Sequence, residues 1–172
     1  MSEIKSTLDL IMERTKDLTL SDDEKREIKR KEEEERMRGL IQRGMDGTLT
    51  PAALDRELTA AIEQDPDFTR NTLREEIIER LNPETDTDRL LDILERHTGI
   101  RKDDCTEKLD QFRSRAAAER KRREGPLREG LTDAGIRGNA VIPNIDRDGQ
   151  WKNWHAQASD ELKRELRLIP GS

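Results

Sequence analysis

The sequence predicts an all-α protein of elongated form. It reads as a long charged helix, a small helical bundle, a second long helix of coiled-coil type and one short extended segment near the C-terminus. Three observations carry this. Apolar residues recur at the three-and-four spacing of a helix face through most of the chain. Acids and bases are interleaved at helical pair spacing rather than gathered in blocks. Proline and glycine stand where helices start and stop.

The apolar share is 31% and the charged share 42%, against roughly 45–50% and about 25% in an average globular domain. So little apolar material makes a full-size core unexpected, and the helical pattern is what separates this chain from a disordered one. The net charge of −6 excludes a global basic field, so any nucleic-acid contact has to be local. The sole cysteine, Cys105, excludes an internal disulfide and fits a reducing compartment. MSEIKSTLDLIMERTKD carries acids and no continuous apolar run, which is neither a signal peptide nor a membrane span. A cytoplasmic location without membrane contact is therefore expected.

Within residues 1–20, Ile4, Leu8, Ile11 and Met12 place one apolar face on a short helix over 3–16. Ser21 and Glu24 then form a capping box that starts the charged helix of residues 21–45. Its middle, KRKEEEER at 29–36, has no apolar residue, so it reads as a solvated rod braced by Glu27 with Lys31, Glu32 with Arg36 and Glu34 with Arg38. A docking surface for a basic partner is the sharper alternative. Met37, Leu40, Ile41 and Met45 restore an apolar stripe.

Residues 46–100 read as a bundle of three short helices. Thr50-Pro51 starts the first, with Leu54, Leu58, Ala61 and Ile62 inward; Asp65-Pro66 starts the second, with Leu73, Ile77 and Leu81 inward; Leu90, Leu91 and Leu94 line the third, which Gly99 stops. In the helix expected over 103–124, Cys105, Leu109, Phe112 and Ala116 step by four, three and four, the spacing of a coiled-coil seam. Its partner is either the helix of residues 21–45 or a second copy of the chain. Gly125-Pro126 should break this helix. Residues 125–172 then form a C-terminal unit: a short helix ended by Gly135, the segment GIRGNAVIPNID, and a last helix with Trp151, Trp154, Ala158, Leu162, Leu166 and Ile169 on one face.

No nucleophile setting or phosphate-binding glycine loop is present, so no catalytic residue and no enzyme activity is expected. Asn144, Asp146, Asp148 and Gly149 match the start of a calcium loop, but His155 stands where the bidentate glutamate belongs; a turn capped by Asp146 or Asp148 is the better reading. Two histidines, His97 and His155, and one cysteine cannot make a zinc set without carboxylates, and no metal or cofactor is expected. Arg113, Arg115, Arg120, Lys121, Arg122 and Arg123 are candidate nucleic-acid contacts, although the chain has no tyrosine to support base stacking.

The segment around residues 139–142 cannot satisfy its own backbone if extended and buried. It is an irregular connector packed on the last helix, or it pairs with a symmetry mate, or it takes an edge from another protein. In the last two cases Ala140, Val141, Ile142 and Ile145 are its apolar anchors and Pro143 its limit. IKSTLDLIMERTKDLTLS and GIRGNAVIPN resemble a family of small bacterial cytosolic helical proteins, a similarity that implies no activity. The charged helix followed by a bundle containing LLDILER is more distantly similar to GrpE nucleotide-exchange factors, though a second long helix intervenes.

A non-enzymatic interaction or adaptor module follows, self-associating as a homodimer through Leu109, Phe112 and Ala116 or binding another protein. On that expectation Leu109→Asp or Phe112→Asp abolishes association and leaves helicity in place. A nucleic-acid or ribosome-associated factor using residues 113–123 is the alternative.

Overall fold

The computed structural model describes residues 21–138 and 141–171. The expected helix over 3–16, with Asn139 and Ala140, lies outside the described residues. Six α-helices follow in order: α1 Asp22–Met45, α2 Pro51–Gln64, α3 Pro66–Arg80, α4 Asp88–Thr98, α5 Lys102–Asp133 and, after a 3-10 turn at Ile145–Arg147, α6 Gly149–Leu168. No strand occurs among the described residues.

Local chemistry sets most of the ends. Ser21 Oγ accepts from the Glu24 amide while a Glu24 carboxylate oxygen accepts from the Ser21 amide at 2.7 Å, so the capping box is complete. Thr50 and Asp65 each accept from the amide three residues on, ahead of Pro51 and Pro66. Gly99 takes φ 71° to end α4. At the end of α5, Gly135 takes φ 84°, its amide donates to Thr132 and that of Ile136 donates to Leu131. This pair of bonds closes the helix as a Schellman motif.

Gly125-Pro126 does not break the chain as the sequence led us to expect: α5 runs through Pro126 to Asp133. Proline removes one amide donor and crowds the carbonyl four residues back. Here that turn is solvent-exposed, so the orphaned carbonyl is open to water, and half-buried Leu127 packs against the core one residue on.

α3 is the hub, touching α1, α2, α4 and α6, and α5 packs on α4 and α6. Leu54, Leu58, Leu73, Ile77, Leu91, Leu94, Leu109 and Leu166 belong to one continuous core. Beyond its apolar contacts, α6 is fastened to α3 by Lys163 on Glu79 at 2.7 Å and Arg167 on Glu75 at 2.7 Å. Arg74 of α3 donates to the carbonyls of Leu166, Arg167 and Ile169, placing a cation on the negative end of α6.

The charged run of α1 also departs from expectation. Residues 29–36 are exposed except for half-buried Glu33, yet they are not solvated on every side. Arg30 lies over the Phe68 ring of α3, 5.7 Å from its centroid, and Arg36 reaches Glu57 of α2 at 3.6 Å. An arginine supplies the packing surface that the missing apolar residue would have supplied.

Candidate functional site

The residues that the sequence nominates for interaction and for nucleic-acid contact lie on α5 and on the connector that follows it. α5 starts beside α4, where the Lys102 ammonium sits 2.7 Å from Asp92 and the Lys102 amide donates to Glu95. From there Cys105, Leu109, Phe112 and Ala116 form the expected stripe, all buried. Burial pushes the Cys105 thiol up to about 11, so it stays protonated and unreactive at neutral pH.

Within the chain the partner of this stripe is α6, not α1. α6 lies antiparallel along it, as shown by Lys108 on Glu165 at 3.1 Å near one end and Arg115 on Glu161 at 2.8 Å further along. The face of α6 that fills the seam carries Trp151, Trp154, Ala158, Leu162 and Leu166. Phe112 meets His155 edge-on at 5.6 Å and Trp154 at 6.5 Å, and the two indoles stack at 5.5 Å. Leu109, Phe112 and Ala116 are thus spent inside one chain. α1 and α5 share no packing. The reason is energetic: a bulky aromatic face on α6, tethered to α5 in the same chain, closes the seam at lower entropic cost than a second molecule does.

The six basic residues fare similarly. Arg113 donates to the Pro83 carbonyl at 2.7 Å and to Asp110 at 2.9 Å. Arg115 pairs with Glu161, Arg120 stands 3.9 Å from Asp146 with its guanidinium 6.0 Å from the Trp151 ring, and Arg122 and Arg123 both grip Glu119. Arg123 also reaches Asp148 at 3.2 Å. Hydrogen bonds from Arg122 and then Arg123 hold the Glu119 carboxyl down at about 2. Lys121 alone of the six has no partner among the described residues. The cluster is therefore largely compensated by acids of its own chain, which leaves little net field for phosphates. Glu119 was legible as the i−3 and i−4 neighbour of Arg122 and Arg123; Glu161, Asp146 and Asp148 come from the far side of a turn and carry no sequence signal.

Asp148 and Asp146 of the calcium-like loop serve within the chain. Asp148 caps α6 by accepting from the amides of Gln150 and Trp151 at 3.1 and 3.3 Å while holding Arg123, and Asp146 faces Arg120. Both carboxylates have cationic or amide partners already. Among the described residues no group of three or more His, Cys, Asp or Glu side chains is placed to hold a metal ion. His155 Nε2 lies 3.3 Å from a Glu84 oxygen but off the direction of a hydrogen bond, so the contact is electrostatic only.

A shallow cleft of about 300 Å³ remains on the α5 flank, with Phe112, Ala116 and Trp151 beneath and Arg113, Arg120 and Glu84 around its rim. Beyond it runs the connector. Ile145 and Pro143 are buried and Val141 is half-buried, its amide donating to Gly138 at 3.2 Å. Ile142 is 84% exposed and Ile136 50%. The connector is thus an irregular segment pinned at its C-terminal end that holds isoleucines in solvent, and no ladder bond forms along its described part.

Among the described residues no helix is long and apolar enough to cross a membrane. No protein-family model, curated protein or solved structure matches the chain.

Proposed function

We propose that this chain is a non-enzymatic, cytoplasmic protein-binding module that associates with a second copy of itself through the connector 136–145, not through the α5 seam. The observation that carries the reading is Ile142, a large aliphatic side chain 84% exposed on a segment in which Pro143 and Ile145, one and three residues on, are buried. A pinned segment loses little further entropy when it is covered, and covering an isoleucine is worth about 1.5–3 kcal/mol. A two-fold contact applies that gain twice, since each copy contributes the same patch. The surface is small, so the complex is weak and concentration-dependent.

Sedimentation equilibrium tests this. The wild-type chain should show a reversible dimer, and Ile142→Asp should sediment as a monomer with an unchanged urea midpoint. A wild-type chain that stays monomeric across the accessible concentration range sinks the self-association, as does an Ile142→Asp protein that still dimerises. The nucleic-acid alternative calls for a salt-sensitive complex lost when Arg120 and Lys121 become Glu. Acids of the same chain already pair with the five arginines of the cluster, which argues against it.

A further inference from the structure

A second concave site lies at the other end of the molecule, where the first half of α1 passes the junction of α2 and α3. It is a cleft of about 290 Å³, with Arg26, Lys29 and Arg30 on the α1 wall, Ala61 and Phe68 beneath and Gln64 on the opposite rim. Positions 26, 29 and 30 share one face of the helix, so three cations converge on one space. Elsewhere in this chain cations that lie close to other elements find acceptors: Arg74, Arg113, Arg115 and Arg123 all do. These three do not. Lys29 has no partner among the described residues. Arg30 lies over the Phe68 ring, and among the described residues no acceptor takes the N–H donors of its guanidinium. Arg26 has only Asp23, 3.6 Å away with both side chains in solvent.

Two acids also line the cleft, each with a partner of its own. Asp65 is engaged as the cap of α3, accepting from the Phe68 amide at 3.3 Å, and Glu33 sits 3.6 Å from Arg36. In a chain of net charge −6, a partly enclosed site whose three cations outnumber the two acids of its lining marks a place where an external anion is stabilised. Two guanidinium forks and an ammonium match the several oxygens of a phosphate better than the two of a carboxylate. The apolar floor and the small volume suit the remainder of a small molecule rather than a folded partner.

We propose that this cleft binds a small phosphate-bearing molecule, its phosphate on Arg26, Lys29 and Arg30 and an aromatic or aliphatic portion over Ala61 and Phe68. This reading is independent of the connector and its dimer. Isothermal titration of the full chain with phenyl phosphate tests it, with inorganic phosphate and phenol as the separate halves of the probe. Phenyl phosphate should bind with one site per chain, more tightly than inorganic phosphate, and phenol should not bind measurably. Lys29→Gln and Arg30→Gln should each weaken binding by about tenfold, the loss expected for one charge-assisted hydrogen bond. Lys121→Gln, the same charge change on α5, should leave it unaltered. Both variants of α1 alter exposed side chains of a capped helix, and an unchanged circular dichroism spectrum verifies that they fold. Absence of saturable binding overturns the proposal, as does equal weakening by Lys121→Gln, which would reduce the effect to general charge. Tighter binding of a glutamate-rich peptide than of phenyl phosphate also overturns it, because the cleft would then be a peptide site.

Discussion

Gly44 has no side chain because Leu54 leaves no room for one: a Cβ there would stand 2.6 Å from Leu54 Cδ2, and Leu54 is itself buried. Gly39, on the same helix, has nothing within 4 Å of the equivalent point. The two glycines therefore respond oppositely to substitution. Gly39→Ala should stabilise the protein by about 0.5–1 kcal/mol through the unfolded chain's lost freedom. Gly44→Val should destabilise it by about 1–3 kcal/mol through overpacking. Urea titrations of both variants check the pair of signs. His97 gives a second prediction at this scale. It is buried in the last turn of α4 with Nε2 3.0 Å from Asp55, and burial, the largest influence, lowers its pKa despite that carboxylate. The unfolded state then takes up a proton more readily than the folded state, so stability present above the ordinary histidine value of about 6.5 is lost as pH falls below it. Between about pH 7 and 5 the melting temperature should fall, and His97→Gln should flatten that fall. A steeper fall in the variant would mean that the Asp55 attraction outweighs burial.

Pro126 and Asp148 set the behaviour of α5 and α6 as elements. Pro126 interrupts an exposed stretch of a helix that the rest of its sequence supports, so Pro126→Ala should restore an amide donor and raise stability by about 1–3 kcal/mol. A loss would show that the proline shapes the return of the chain into the connector. Asp148→Ala removes two amide acceptors from the start of α6 and one anchor of Arg123, and should cost about 1–2 kcal/mol by urea titration. Caps of this kind were the most legible part of the sequence. Ser21, Thr50, Asp65, Gly99 and Gly135 all act on backbone groups within a few residues of themselves, which is the range a sequence pattern covers. The continuation of α5 past Pro126 was not legible, since it depends on exposure and on Leu127 finding cover against the core. Nor was the partner of the seam: the spacing of Cys105, Leu109, Phe112 and Ala116 announces a helix face to be covered but not by what. The aromatic face of α6 was equally visible, and only the fold joins the two. Of the candidate sites, the exposed isoleucines lay in a segment already singled out, whereas the α1 cleft depends on Phe68 arriving from another helix.

Across the whole molecule, modest apolar content is reconciled with a folded state by letting every helix share one core and by letting long charged side chains cover its edges. That closes the surface from which a helix-mediated dimer was expected and leaves Ile136 and Ile142 of the connector, with Leu168 at the end of α6, as the most exposed large aliphatic side chains among the described residues. The measurement that tests this most directly is a urea titration of Leu109→Asp, followed by the fluorescence of Trp151 and Trp154, the chain's two tryptophans, which lie on the helix that covers Leu109. A carboxylate placed where Leu109 is fully buried should lower stability by more than about 3 kcal/mol and release both indoles at low urea. A midpoint equal to that of the wild type, accompanied by lost association, would instead show that the seam belongs between molecules and would contradict the account.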